Sequence, residues 1–268
     1  MYKRQIYRHD YGDRITGTST AQTSNSGVST LHDANFYVLT TARNVYKCLD
    51  NDGDTASTVE PTGTATTVLT TGDGYKWKYM YTLSASQQAN FLSTDFMAVA
   101  TNSTVSSAAV DGAIDVVKIK SAGTGGANGT HTGIAIRGDG SNGQVSVTVA
   151  GGVVTAVTVT NAGTGYTFGT ISNAQIVAAG ATSLTGAELD VIIPPKGGHG
   201  KNAVEELGGF FVMLNTSLEG TESGNSGDVT VANDFRKISL IRDPNASGSA
   251  ATATTLRGTK AINLTGVS

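Results

Sequence analysis

Ten residues, VKIKSAGTGG at 117–126, return forty positions later as VTVTNAGTGY at 157–166, aligning Ala122-Gly123-Thr124-Gly125 with Ala162-Gly163-Thr164-Gly165. Each copy alternates its side chains along a short run and then enters a glycine turn. Alternation of period two marks a half-buried strand, so the repeat predicts two similar strand–turn units inside one β module. Between the copies, GQVSVTVAGGVVTAVTVT (143–160) reads as a hairpin turning at Ala150-Gly151-Gly152. From Ile114 to Ile193 the chain is dense in Gly, Thr and Val and almost free of aromatics. The reading is an all-β repeat module over 113–193, inserted between the first part of a core (1–110) and its resumption (194–268).

The flanks read differently. NFYVLTT (35–41) and NVYKCLD (44–50) are strand candidates joined through Ala42 and Arg43, a hairpin spacing. In TTGDGYKWKYMYTLS (70–84), Tyr75, Trp77, Tyr79, Tyr81 and Leu83 alternate with Lys76, Lys78, Met80 and Thr82. That predicts a strand with aromatics inward and lysines outward. SASQQANFLSTDFM (84–97) then reads as a short helix with Ser84 or Ser86 at its N-cap. PPKGGHG (194–200) is a hinge. NAVEELGG (202–209) carries helix signals at both ends, with Asn202 to cap, Glu205 at N3 and Gly208-Gly209 to stop it. FFVMLNT (210–216) and DFRKISLIRDP (234–244) are further strands.

Composition agrees with a mainly β, multi-domain, sandwich-like protein with few short helices. There are 34 glycines, and aromatics at 6% suit thin β layers better than a deep catalytic globule. A net charge of −3 without a basic run argues against a nucleic-acid partner. The strict alternation of lysines and aromatics at 75–83 separates them onto opposite faces, which does not suit base stacking. The single cysteine, Cys48, cannot close an internal disulfide, and no apolar run approaches the ~20 residues of a membrane span. Five Asn-x-Ser/Thr sequons, at Asn102, Asn128, Asn215, Asn245 and Asn263, fit chance in a chain this rich in Ser, Thr and Asn.

Reactive patterns fall short one after another. DNDGDTASTVE (50–60) places Asp50, Asp52 and Asp54 like a calcium loop, yet Thr55 and Pro61 stand where the loop needs Gly and Glu. The glycine loops at 123–129 and 163–169 have Asn128 and Phe168 at the final glycine of a dinucleotide fingerprint. His9, His32, His131 and His199 share no metal-ligand spacing with one another or with Cys48. Arg137-Gly138-Asp139 reads as a turn. Asp139 and Glu188 could serve glycoside cleavage only if folding brought them together across a groove. The sequence therefore predicts no enzyme, cofactor, metal or small-molecule substrate.

Several long segments together resemble one family. VYKCLDN, STVEPTGT and LTTGDGYKWKYMYTLS within 36–97, with GGHGKNAVEELGGFFVMLN and NDFRKISLIRDP within 197–245, are similar to the baseplate wedge protein of T-even-type contractile-tailed phages, especially cyanophage forms. The resemblance implies a structural virion protein of the tail baseplate, assembled in the host cytoplasm. Its implied partners are other wedge subunits, and the full-length family protein is a homodimer. Gly72, Asp73, Gly74, Tyr75 and Trp77 would then form a turn and core strand, and Gly197, Gly198, His199 and Gly200 a hinge, all fold-defining. Family members extend beyond both ends of this pattern, so the resemblance implies an internal fragment. A glycan-binding tail or fibre module, presenting loop groups such as Asn161 and Tyr166, is the alternative.

Overall fold

The computed structural model describes residues 1–13, 36–53, 55–218, 235–242, 245–246, 249–250 and 264–265. His32, Asp54 and most of the closing NLTGVS lie outside them. The protein is mainly β. In chain order the elements are β1 (Tyr2–Tyr7), β2 (Tyr37–Leu39), β3 (Asn44–Asp50), β4 (Leu69–Thr70), β5 (Lys76–Thr82), α1 (Ala85–Phe91), β6 (Phe96–Ala98) and α2 (Ser103–Ala108). Next come β7 (Val117–Thr124), β8 (Gly129–Ala135), β9 (Arg137–Gly138), β10 (Gln144–Ala150), β11 (Val153–Asn161), β12 (Gly169–Thr170), α3 (Asn173–Ala178), β13 (Thr185–Val191), α4 (Ala203–Glu206), β14 (Phe211–Leu218) and β15 (Phe235–Arg242). The chain divides into two compact units, one of Met1–Val45, Thr82–Ala100 and Val204–Ser268, the other of Tyr46–Tyr81 and Thr101–Ala203.

In the first unit β15, β14, β1 and β6 lie side by side in that order, all neighbours antiparallel. Tyr7, Phe96 and Phe211 meet on this sheet with ring centroids 5.1–5.2 Å apart. The turn at Ala42 and Arg43 forms as expected. Thr40 N–H donates to Asn44 O at 2.9 Å, and Arg43 adopts φ +63°. Ser84 is the N-cap of α1 in a full capping box with Gln87, which settles the choice between Ser84 and Ser86. α4 ends where Gly208 takes φ +76° and Gly209 N–H returns to Val204 O at 2.7 Å.

The second unit holds the repeat. β10 and β11 form the expected hairpin, and Gly151 (φ +62°) and Gly152 (φ +81°) make its two-residue turn, a conformation open to glycine at little cost. The two AGTG copies match in backbone as well as in letters. Gly123 and Gly163 sit at φ +64° and +63°, and Gly125 and Gly165 at +76° and +73°. A Cβ on Gly123 would stand 2.7 Å from Thr185 O, and one on Gly163 2.4 Å from Ser141 O. Each first glycine thus lets its turn press on another segment's backbone. β7 pairs with β13, whereas β11, β10 and β8 form a separate antiparallel sheet. β7 and β11 meet at their ends, through Gly126 N–H to Gly152 O (2.9 Å) and Ile114 N–H to Ala162 O (2.8 Å). One hydrophobic cluster of buried residues runs from Ile114 to Val191 and includes Val145, Val147, Tyr166 and Ile176.

Two expectations fail against this fold. The block at 113–193 is not all-β, because Ser172 and Gln175 build a capping box that starts α3. That helix covers strand edges: Asn173 donates to Leu184 O and accepts from Ala187 N–H, while Gln175 donates to Ala135 O. Nor does β5 face its lysines outward. Lys78 is 7% exposed and Met80 fully buried. The Lys78 ammonium enters the interior because Asp115 meets it at 3.0 Å.

Candidate functional site

The turn at Gly72-Asp73-Gly74 closes through Gly74 N–H to Thr71 O and Thr71 N–H to Tyr75 O, both 3.0 Å. Gly74 adopts φ +85° and leaves no room for a Cβ, which would stand 2.5 Å from Asp52 Cγ. The Asp73 carboxylate reaches across to a separate loop. It accepts from Ser57 Oγ (2.7 Å), Thr58 N–H (2.8 Å), Val59 N–H (3.0 Å) and Thr71 Oγ1. Burial alone would raise its pKa, but the Thr71 and Ser57 hydroxyls and the two amides hold it well below the ordinary carboxylate range. Tyr75 stacks on Trp77 at 5.4 Å and donates to Thr55 O, while Trp77 Nε1 donates to Thr71 Oγ1 at 3.3 Å. The stretch is a knot tying residues 55–59 to β5.

At the second stretch, Gly197, Gly198 and Gly200 all take left-handed φ values, +90°, +93° and +82°. A Cβ on Gly198 would lie 2.3 Å from Val110 O, and one on Gly200 2.4 Å from Val105 Cγ1. Gly198 N–H donates to Pro195 O and Gly197 N–H to Asp111 Oδ1. The glycines thus fold the backbone flat against residues 105–111. His199 is carried inside at 5% exposure and lines a cavity of about 340 Å³ with Lys78, Asp115 and Thr66.

The other sequence candidates are dispersed. His9 is buried edge-on to Tyr37, and burial lowers its pKa to about 4. His131 Nε2 bonds Ala127 O at 3.0 Å. Asp139 binds Thr167 N–H, Thr167 Oγ1 and Phe168 N–H, and Glu188 pairs with Lys120 at 3.1 Å on the surface. Thr167's hydroxyl and amide, with the Phe168 amide, lower the Asp139 pKa to about 2 against an opposing desolvation. Asn161 is exposed and accepts from Gly163 N–H at 3.0 Å, whereas Tyr166 is buried, its hydroxyl bridging Gly143 N–H and Ile136 O. Tyr166 therefore does not present its ring to a ligand. Among the described residues no three His, Cys, Asp or Glu side chains gather as a metal site would require.

Sequence reasoning missed a polar cleft of about 590 Å³ whose walls include Val117–Lys120 of β7 and Thr155–Thr158 of β11. Asp50 sits in it between Lys76 Nζ (3.2 Å) and Lys118 Nζ (3.8 Å), and Lys118 Nζ also reaches Asn51 Oδ1 at 3.1 Å. The calcium-like spacing of DNDGD was the available signal, but it is basic groups that converge on Asp50. Compared with known proteins, the chain matches no family model, no curated protein and no solved structure.

Proposed function

We propose that this chain is a structural, non-enzymatic subunit of the baseplate wedge of a contractile phage tail, working through interfaces with other wedge subunits and as a homodimer in the full-length protein. The sequence resemblance at 36–97 and 197–245 is the source of this reading. One observation supports it best: the Asp73 carboxylate is engaged by four donors of its own chain. A carboxylate so engaged organises a fold and is poorly placed for proton transfer or ligand binding. Gly198 likewise packs against the Val110 backbone, and Gly197 and Gly200 against the Lys201 and Val105 side chains.

The test is whether the protein travels with tails. Mass spectrometry of purified virions and of isolated baseplates should find it enriched with the baseplate, and co-expression with neighbouring tail proteins should yield a stable complex. Its absence from virions would refute the assignment. The glycan-binding alternative draws support from the polar cleft and from Phe168, which is 56% exposed. Retention on a glycan array, lost in Phe168→Ala, would favour that reading instead.

A further inference from the structure

Three groups meet at the floor of the polar cleft: the Lys118 amine, the Asn51 carboxamide and the Asp50 carboxylate. Lys118 Nζ lies 3.1 Å from Asn51 Oδ1 and 3.8 Å from Asp50 Oδ1. Asp50 closes β3 and Asn51 comes directly after it, while Lys118 sits in β7 with its backbone paired to Asp190 of β13. The amine is therefore delivered from a strand rather than from a loose loop. Lys76 Nζ holds the other Asp50 oxygen at 3.2 Å, which leaves Oδ1 turned toward Lys118. The Asp50 side chain is 12% exposed and that of Lys118 33%.

We propose that Lys118 and Asn51 are joined by an intramolecular isopeptide bond, formed by the folded chain itself with Asp50 as the proton shuttle. Asp50 Oδ1, 3.8 Å from Lys118 Nζ, takes a proton from the Lys118 ammonium. The free amine attacks Asn51 Cγ and gives a tetrahedral carbon. Asp50 returns the proton to the carboxamide nitrogen, the tetrahedral carbon collapses, the old C–N bond breaks and ammonia leaves. That ammonia takes the second amine proton from the new amide nitrogen and departs as ammonium. One C–N bond forms, one breaks, and nothing is oxidised or reduced. Lys118 is the nucleophile and Lys76 is not, because Lys76 reaches the carboxylate while Lys118 also reaches the carboxamide.

A bond between residues 51 and 118 would tie the β3 end to β7 across a long loop, where a covalent link restrains the unfolded chain most. For a protein with aromatics at only 6%, that is a useful site for a cross-link. The bond depends on this geometry alone and would form whether or not the chain belongs to a baseplate.

The experiment is the intact mass of the full chain, purified folded and then denatured. The expected mass is below the sequence mass by one ammonia, with a branched peptide carrying Lys118 and Asn51 after digestion. Lys118→Arg keeps the charge without a usable nucleophile and should restore the sequence mass, as should Asp50→Asn. Wild-type protein at its full sequence mass after long incubation in the folded state would overturn the proposal. So would an ammonia loss that persists in Lys118→Arg, because ring closure of Asn51 onto its own backbone then accounts for it. If Asp50→Asn does not fold, the wild-type mass and the branched peptide still decide.

Discussion

At residues 72–74 and again at 138–140 the chain reads Gly-Asp-Gly, and in both places the aspartate gathers donors from a distant segment. Asp73 holds residues 57–59, which lie 14 to 16 positions upstream, and Asp139 holds Thr167 and Phe168, 28 and 29 positions downstream. Each turn uses two backbone amides and at least one hydroxyl. The glycine after each aspartate meets a different neighbour. A Cβ on Gly74 would meet the Asp52 carboxyl group at 2.5 Å, whereas one on Gly140 would meet the Tyr166 ring at 2.4 Å. One turn borders a polar side chain and the other a core aromatic at 3% exposure. The same device therefore serves as a loop tether in one place and as the lid of a packed core in the other.

The largest effect should come from adding one methyl to each turn. In Gly140→Ala the Tyr166 ring cannot withdraw, because its hydroxyl is bonded to Gly143 and Ile136. The expected destabilisation is about 3 kcal/mol, the upper part of the overpacking range. In Gly74→Ala the Asp52 carboxyl can swing away, leaving chiefly the cost of a left-handed alanine, about 1–2 kcal/mol. Urea unfolding of both variants checks the order, and equal losses would break the distinction between tether and lid. Next comes loss of a hydroxyl. Tyr166→Phe strands a buried amide and a buried carbonyl and should cost about 1–3 kcal/mol, whereas Tyr75→Phe, whose hydroxyl bonds Thr55 O near solvent, should stay within about 0.5 kcal/mol.

The two turns also mark how far the letters carry. The Gly151-Gly152 turn, the two AGTG copies and the Ser84 cap were legible, because each depends on residues a few positions apart. Lys78 was misjudged because its partner Asp115 lies 37 residues away, and a period-two pattern cannot register a charge that arrives from elsewhere. α3 was missed because it is only six residues long and lies inside a block, 114–193, that as a whole reads as strand. The cleft was invisible for the same reason as Lys78: Lys118 and Asn51 are 67 residues apart and only the fold joins them. Asp73 was picked out by family resemblance as fold-defining, but its hold on residues 57–59 needed coordinates.

The smallest effect, and the most direct reading of the shared device, is acid. Both aspartates have depressed pKa values in the folded chain. A depressed carboxylate contributes fully above its unfolded pKa and loses that contribution as pH falls through the folded one. For Asp139 the window runs from the ordinary 3.8 down to about 2. Amide resonances of Thr167 and Phe168 should therefore stay fixed while a free aspartate titrates and move only near the lower limit. Thr58 and Val59 should report Asp73 in the same way. A midpoint near 3.8 at either turn would mean that its aspartate is not holding those amides. Ser57→Ala sharpens the test, since removing one donor hydroxyl should raise the Asp73 midpoint and leave that of Asp139 unmoved. A shift at both turns would show instead that the two are coupled through the unit and are not separate tethers.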